Sequence, residues 1–144
     1  MVEIIYADTN MFIRFFTSDP EEQSEIVNRF FIKVSLKEVE LFVCDIVISE
    51  IVYVLERVYK VNRNEIYEKI HSILNMENIM VENRSVIFNA LSYYKDKNIN
   101  FNDAYIASHA LKNNINKVFT FDNDFKKISE IKIINEIFTR AQLN

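Results

Sequence analysis

The chain has 144 residues, 49% hydrophobic and 26% charged, with 17 basic and 21 acidic residues for a formal net charge of −4. This composition excludes a disordered or membrane-spanning chain and allows one domain, residues 1–144, that buries roughly 70% of the surface its unfolded form exposes; it also speaks against a basic-patch polyanion binder, unless divalent cations cover the carboxylates. Glycine is absent, which removes the dinucleotide fingerprint and the phosphate-cradling loop and leaves asparagine to make left-handed turns, as at Asn113-Asn114.

The N-terminus lacks the basic-then-apolar layout of a secretory leader, so a cytoplasmic protein is expected. Ile4-Ile5-Tyr6-Ala7-Asp8-Thr9-Asn10 is an apolar run that stops in a carboxylate, a hydroxyl and an amide. Central strands of parallel sheets read this way, and their ligands collect beyond the carboxyl ends. Asp8 therefore stands where a site would be. Thr9 or Asn10 then caps a short helix with Met11, Phe12, Phe15 and Phe16. Ser18-Asp19-Pro20 restarts the chain, with proline at the first helical position of a helix carrying Ile26, Val27, Phe30, Phe31 and Val34. Two early helices do not need so many aromatics in their core, so part of this surface is expected to meet a second copy or a partner.

Residues 41–44 form a second strand, with Cys44 read as a small buried hydrophobe. Asp45 is expected to cap a helix whose stripe is Ile46, Val47, Ile51, Val54, Leu55 and Val58, with Glu50 beside the stripe. A helix over 64–74, a strand over 79–81 and a helix over 86–94 follow. Phe101-Asn102-Asp103 opens another helix over 104–111, whose Ala104, Ala107 and Ala110 allow a close approach to the sheet. Residues 118–121 make a fourth strand that ends in Asp122-Asn123-Asp124, and 131–134 a weaker fifth. Strands alternating with helices predict a three-layer α/β/α sandwich around a central parallel sheet.

In that topology the ends of Asp8 and Asp122 strands share one edge, and the helices bearing Glu50 and Asp103 begin there. Such a cluster is unfavourable unless a cation fills it, because neighbouring carboxylates raise one another's pKa. Oxygen ligands in this number suit Mg²⁺ or Mn²⁺ better than Zn²⁺, and such centres hydrolyse phosphodiesters. Each acid also has a plainer reading. Asp8, and either Asn102 or Asp103, could simply cap a helix; Glu50 could reach past the stripe to solvent; Asp122 and Asp124 could form an Asx-type turn. His71 and His109 read as ordinary helix residues.

Four stretches together carry a resemblance: Ile5-Tyr6-Ala7-Asp8-Thr9-Asn10; Ser49-Glu50 followed by Val54-Leu55; Phe101-Asn102-Asp103-Ala104-Tyr105-Ile106-Ala107; and Thr120-Phe121-Asp122-Asn123-Asp124-Phe125. In this order and at these separations the chain resembles the PIN-domain nucleases and is similar in size to the VapC-type toxins of prokaryotic toxin-antitoxin pairs. The resemblance implies a parallel α/β/α sandwich and Mg²⁺- or Mn²⁺-dependent endonucleolytic cleavage of RNA. By position it makes Asp8, Glu50, Asp103 and Asp122 the metal-binding acids and Asp124 an accessory one, with Thr9, Asn10 and Thr120 as orienting groups. It also implies a homodimer inhibited by a small antitoxin. The chain departs from many such proteins in having Asn98-Ile99-Asn100, and no glycine, before Phe101. Arg14 and Lys126 follow the acid-bearing strands and are candidates to steady a scissile phosphate. A non-catalytic scaffold of the same fold, binding RNA or a protein, is the alternative. A receiver-type phosphoacceptor domain would need an aspartate after the third strand, where Glu82 stands.

Overall fold

The computed structural model describes residues 2–136; residue 1 and residues 137–144 of the expected 1–144 domain lie outside it. In chain order the elements are β1 (Glu3–Tyr6), α1 (Thr9–Thr17), α2 (Glu21–Ser35), β2 (Val39–Val43), α3 (Asp45–Arg57), α4 (Arg63–Asn75), β3 (Ile79–Val81), α5 (Arg84–Asp96), α6 (Phe101–Lys112), β4 (Lys117–Phe119), a 3-10 helix (Asn123–Lys127) and β5 (Lys132–Ile134). All strand pairings are parallel and helices flank them, the α/β architecture the alternating pattern predicts.

The expected central sheet is divided into two ladders. One has the order β1-β2-β3, with Ile5 opposite Leu41 and Leu41 opposite Ile79; the other pairs β4 with β5, Val118 opposite Ile133. β4 and β5 are three residues each and pair directly in parallel, joined by a crossover that contains the 3-10 helix; the ladder uses one edge of each. Among the described residues β1 pairs on one edge only, and Tyr6 is 71% exposed despite packing on Phe42 at 4.9 Å between ring centroids. The N-terminal strand is thus less buried than its apolar run suggests.

The core lies between the first ladder and α1, α3, α4 and α5, where Leu41, Val43, Ile48, Ile51, Leu55, Ile66, Ile70, Ile87, Leu91 and Tyr94 are fully enclosed. The α3 stripe differs in phase from the expected one: Val47, Ile48, Ile51, Val52 and Leu55 face inward, while Ile46 and Val58 are 66% and 63% exposed. A helix with apolar residues on most of its circumference gives periodicity no unique phase. Phe12, Phe15, Phe16 and Phe31 stack on one another, so much of the early aromatic surplus is absorbed internally. Ala104 and Ala107 are buried, but the close neighbour of α6 is α5, with the Ser108 hydroxyl donating to the Val86 carbonyl at 2.7 Å.

Several helix starts are set by residues close to, but not at, the positions expected to cap them. Of the candidate caps for α1 it is Asp8, not Thr9 or Asn10, that caps it, accepting from Thr9 N–H at 2.7 Å, while Asn100, ahead of Asn102 and Asp103, caps α6, accepting from Asn102 N–H at 2.9 Å. Pro20 is itself the residue before the first turn of α2. Asp45 is the first helical residue of α3 and does not act as its cap.

With no glycine available, left-handed positions are taken by Ser18, Lys37, Lys60, Asn78, Asn98 and Asn114. At the end of α6, Asn114 N–H donates to Leu111 O at 3.0 Å and Ile115 N–H to Ala110 O at 2.9 Å, satisfying carbonyls the helix leaves open. Lys37 does the same for α2, with Lys37 N–H on Val34 O and Glu38 N–H on Lys33 O, both at 3.0 Å. Asn98 (φ 53°) makes the left-handed turn that leads into α6. Arg63 ties that turn down, donating to Tyr94 O at 2.9 Å and Ile99 O at 2.8 Å while lying over the Tyr94 ring. The turn delivers Asp103 in the first turn of α6.

Candidate functional site

Asp103, Asp122 and Asp124 each place a carboxylate oxygen within 4.8 Å of the others, and among the described residues they form the only His/Cys/Asp/Glu set of three or more that does so. Local structure fixes each of them. Asn100 starts α6 and buried Phe101 anchors its first turn, so Asp103 is held half-buried. Beyond β4, Thr120 N–H still pairs with Ile134 O at 3.0 Å, and the Thr120 hydroxyl accepts from Asp122 N–H at 3.0 Å. Asp122 Oδ1 in turn accepts from Asp124 N–H at 2.9 Å. The Asx-type turn read from the sequence is therefore present, and it brings Asp124 into the group instead of leaving it peripheral.

The electrostatics follow from this crowding. Burial, followed by a hydrogen bond with Asp122 and the charges of Asp122 and Asp124, pushes the Asp103 carboxyl up to about 6. Lys127 offsets part of the negative charge from one side: its ammonium lies 3.0 Å from Asp124 Oδ1 and donates to Asn98 O at 3.0 Å.

Asp8 and Glu50 lie outside this set and form a second group joined by Thr9. Asp8 Oδ1 accepts from Thr9 N–H, and the buried Thr9 hydroxyl donates to Glu50 Oε2 at 2.7 Å. Glu50 is exposed, but its carboxylate has a fixed partner and does not merely reach for solvent. Asn10 is exposed at the same rim. Arg14 is half-buried and its Nε donates to Gln23 Oε1 at 2.6 Å, which aims it along α2; Lys126 is exposed on the 3-10 helix.

Two links connect the helices that carry Glu50 and Asp103. The Ser49 hydroxyl donates to Asn102 Oδ1 at 2.6 Å, and the Tyr105 hydroxyl donates to Asp45 Oδ2 at 2.5 Å. Asp45 is only 8% exposed and also accepts from Asn83 N–H at 3.1 Å and Asn83 Nδ2 at 2.7 Å, while its own N–H donates to Glu82 Oε1 at 3.1 Å. Burial, and then the Asp45 carboxylate, raises the Tyr105 phenol well above its ordinary range. Reading Asp45 as a cap missed this role; an acid directly after the apolar run 41–44 was the available signal.

Compared with known proteins, the PIN domain family profile matches residues 5–131, nearly the whole chain. The chain belongs to the PIN domain family. A VapC ribonuclease of Aquifex aeolicus (strain VF5) is 37% identical to it over 128 residues, covering 89% of this chain and 93% of that protein. VapBC2 from Rickettsia felis, solved bound to a DNA fragment from their promoter, has a chain 21% identical that covers 93% of this one and 98% of its own length, with a TM-score of 0.36.

This PIN domain thus presents three carboxylates within 4.8 Å of one another, one with a raised pKa, and a separate acidic pair, Asp8 and Glu50, joined through Thr9. Hard oxygen donors held this close, with only Asp124 ion-paired among the three in the described residues, fit a divalent cation. No helix among the described residues is long and apolar enough to cross a membrane.

Proposed function

We propose that this PIN domain, over residues 1–144, is an endoribonuclease that hydrolyses RNA phosphodiester bonds with Mg²⁺ or Mn²⁺ and serves as the toxin of a toxin-antitoxin pair. The observation that carries the reading is the convergence of Asp103, Asp122 and Asp124 in a chain 37% identical, nearly end to end, to a VapC ribonuclease. Asp103 and Asp122, with Asp8 and Glu50 from the group joined by Thr9, would hold the cation, and Asp124 would support it. A bound divalent ion would supply Lewis-acid activation of water and relief of the charge that builds on phosphate.

The chain's own residues do the rest. Thr9 orients the Glu50 carboxylate, and Thr120 orients the backbone that presents Asp122. Arg14 of α1, once released from Gln23, and Lys126 of the 3-10 helix that follows Asp122 would take the non-bridging phosphate oxygens, and Asn10 would donate to the sugar-phosphate. Because the chain is net negative, filling the acidic centre is also what lets a polyanion approach. The family resemblance carries the remaining expectations: a cytoplasmic homodimer silenced by a small antitoxin.

Purified protein should cut RNA in Mg²⁺ or Mn²⁺ and stop in EDTA, and Asp103→Asn should lose on the order of 100-fold or more in rate, since even outer partners of metal ligands are worth about 10–100-fold. Full activity in Asp103→Asn or Asp8→Asn would overturn the reading. Stable RNA binding without cleavage in either metal would favour the scaffold.

A further inference from the structure

We propose that Ser49 and Tyr105 are positioning residues, a two-point tie that sets the register of α6 against α3 and so the spacing of Glu50 from Asp103. The inference rests on the nuclease reading of those two acids. Asp45 and Ser49 are four residues apart and share a face of α3; Asn102 and Tyr105 are three apart and share a face of α6. Asp45 meets Tyr105 while Ser49 meets Asn102. The two bonds therefore join the helices in opposite chain directions, one turn apart. With α6 already packed on α5, a single bond would set one point of its approach to α3, whereas two bonds one turn apart set both its rotation and its sliding against α3.

The tie is rooted in the sheet. The exposed link from β3 to α5 holds the buried Asp45 through both Asn83 donors and through Glu82. It also ends beside the chemistry, since Glu50 directly follows Ser49 and Asp103 directly follows Asn102. Among the described residues these are the two side-chain hydrogen bonds that run between α3 and α6. Neither Ser49 nor Tyr105 touches the acids, and Glu50 keeps its separate partner in Thr9.

The test is the folded double variant Ser49→Ala, Tyr105→Phe, with Ser49→Ala alone as a milder change at a half-exposed position and Ser49→Thr as the variant that keeps the hydroxyl. Circular dichroism should match the parent. For the double variant, kcat for RNA cleavage should fall about tenfold with KM unchanged, and Mn²⁺ measured by titration calorimetry should bind about tenfold more weakly, the lower end for partners that orient metal ligands. Ser49→Ala should show part of both losses and Ser49→Thr should restore parental values. Parental kcat and Mn²⁺ affinity in the folded double variant would overturn the tie alone, as would failure of Ser49→Thr to rescue. A parent that neither binds Mn²⁺ nor cuts RNA would remove the nuclease reading and the tie together.

Discussion

At Asp103, the carboxyl titrates near 6 in the folded chain against an ordinary 3.8, with burial the first cause and Asp122 the next. The folded state thus holds this proton more tightly than the unfolded state does. Stability from Asp103 is greatest below about pH 4 and is lost as pH rises through about 6. The metal-free protein should therefore lose melting temperature over that window relative to Asp103→Asn, in which the slope from this group vanishes; parallel curves for the two proteins would contradict the assignment. Thr9 makes the second residue-scale case. Thr9→Val keeps the shape but removes the donor to Glu50, so Mn²⁺ affinity should weaken by about 10-fold while the melting temperature moves little. Both side chains stand out in the sequence because each follows an apolar strand or opens a helix. Asp45 does too, but its residue type fits a cap equally well, and only the arrival of Tyr105 from sixty positions away tells the two roles apart.

Among the elements, those with one sharply apolar face were legible: α4, with Ile66, Ile70, Ile73 and Leu74 buried, lies where its spacing puts it. The phase of α3 was not, since Ile46 and Val58 are as apolar as the residues that turn inward. The pairing of β4 with β5, and not with the first ladder, was equally out of reach, because strands of three residues carry too little pattern to choose an edge. Helix ends are a different problem. Left-handed asparagines could be anticipated, but Lys37 and Lys60 could not, because nothing in lysine favours that conformation. Lys60→Gly, which relieves a strain of about 1–2 kcal/mol at the cost of about 0.5–1 kcal/mol in chain entropy, should raise stability by up to about 1 kcal/mol in chemical denaturation; a loss would show that the lysine side chain has a compensating role.

For the whole molecule, the acids divide into two levels of legibility. Their presence at strand and helix ends followed from topology, while the grouping of Asp103 with Asp122 and Asp124, and of Asp8 with Glu50, depended on the turn at 122–124 and on Thr9. A chain of charge −4 with such a concentration of carboxylates is expected to be stabilised by any cation that binds only the folded form. Millimolar Mn²⁺ should raise the melting temperature at pH 7.5 and do so much less at pH 5, where Asp103 is largely protonated; equal shifts at both values would separate stabilisation from the acidic centre.

The glycine-free backbone also bears on how the molecule ages. Among the described residues the left-handed asparagines, Asn78, Asn98 and Asn114, are each followed by isoleucine: Ile79, Ile99 and Ile115. Spontaneous deamidation needs the next residue's nitrogen to attack the asparagine amide and close a cyclic imide, and a branched neighbour obstructs that ring where glycine would invite it. The hinges that replace glycine are thereby shielded from the slow hydrolysis to which asparagine turns are prone, and their backbone keeps its length and charge over the lifetime of the protein.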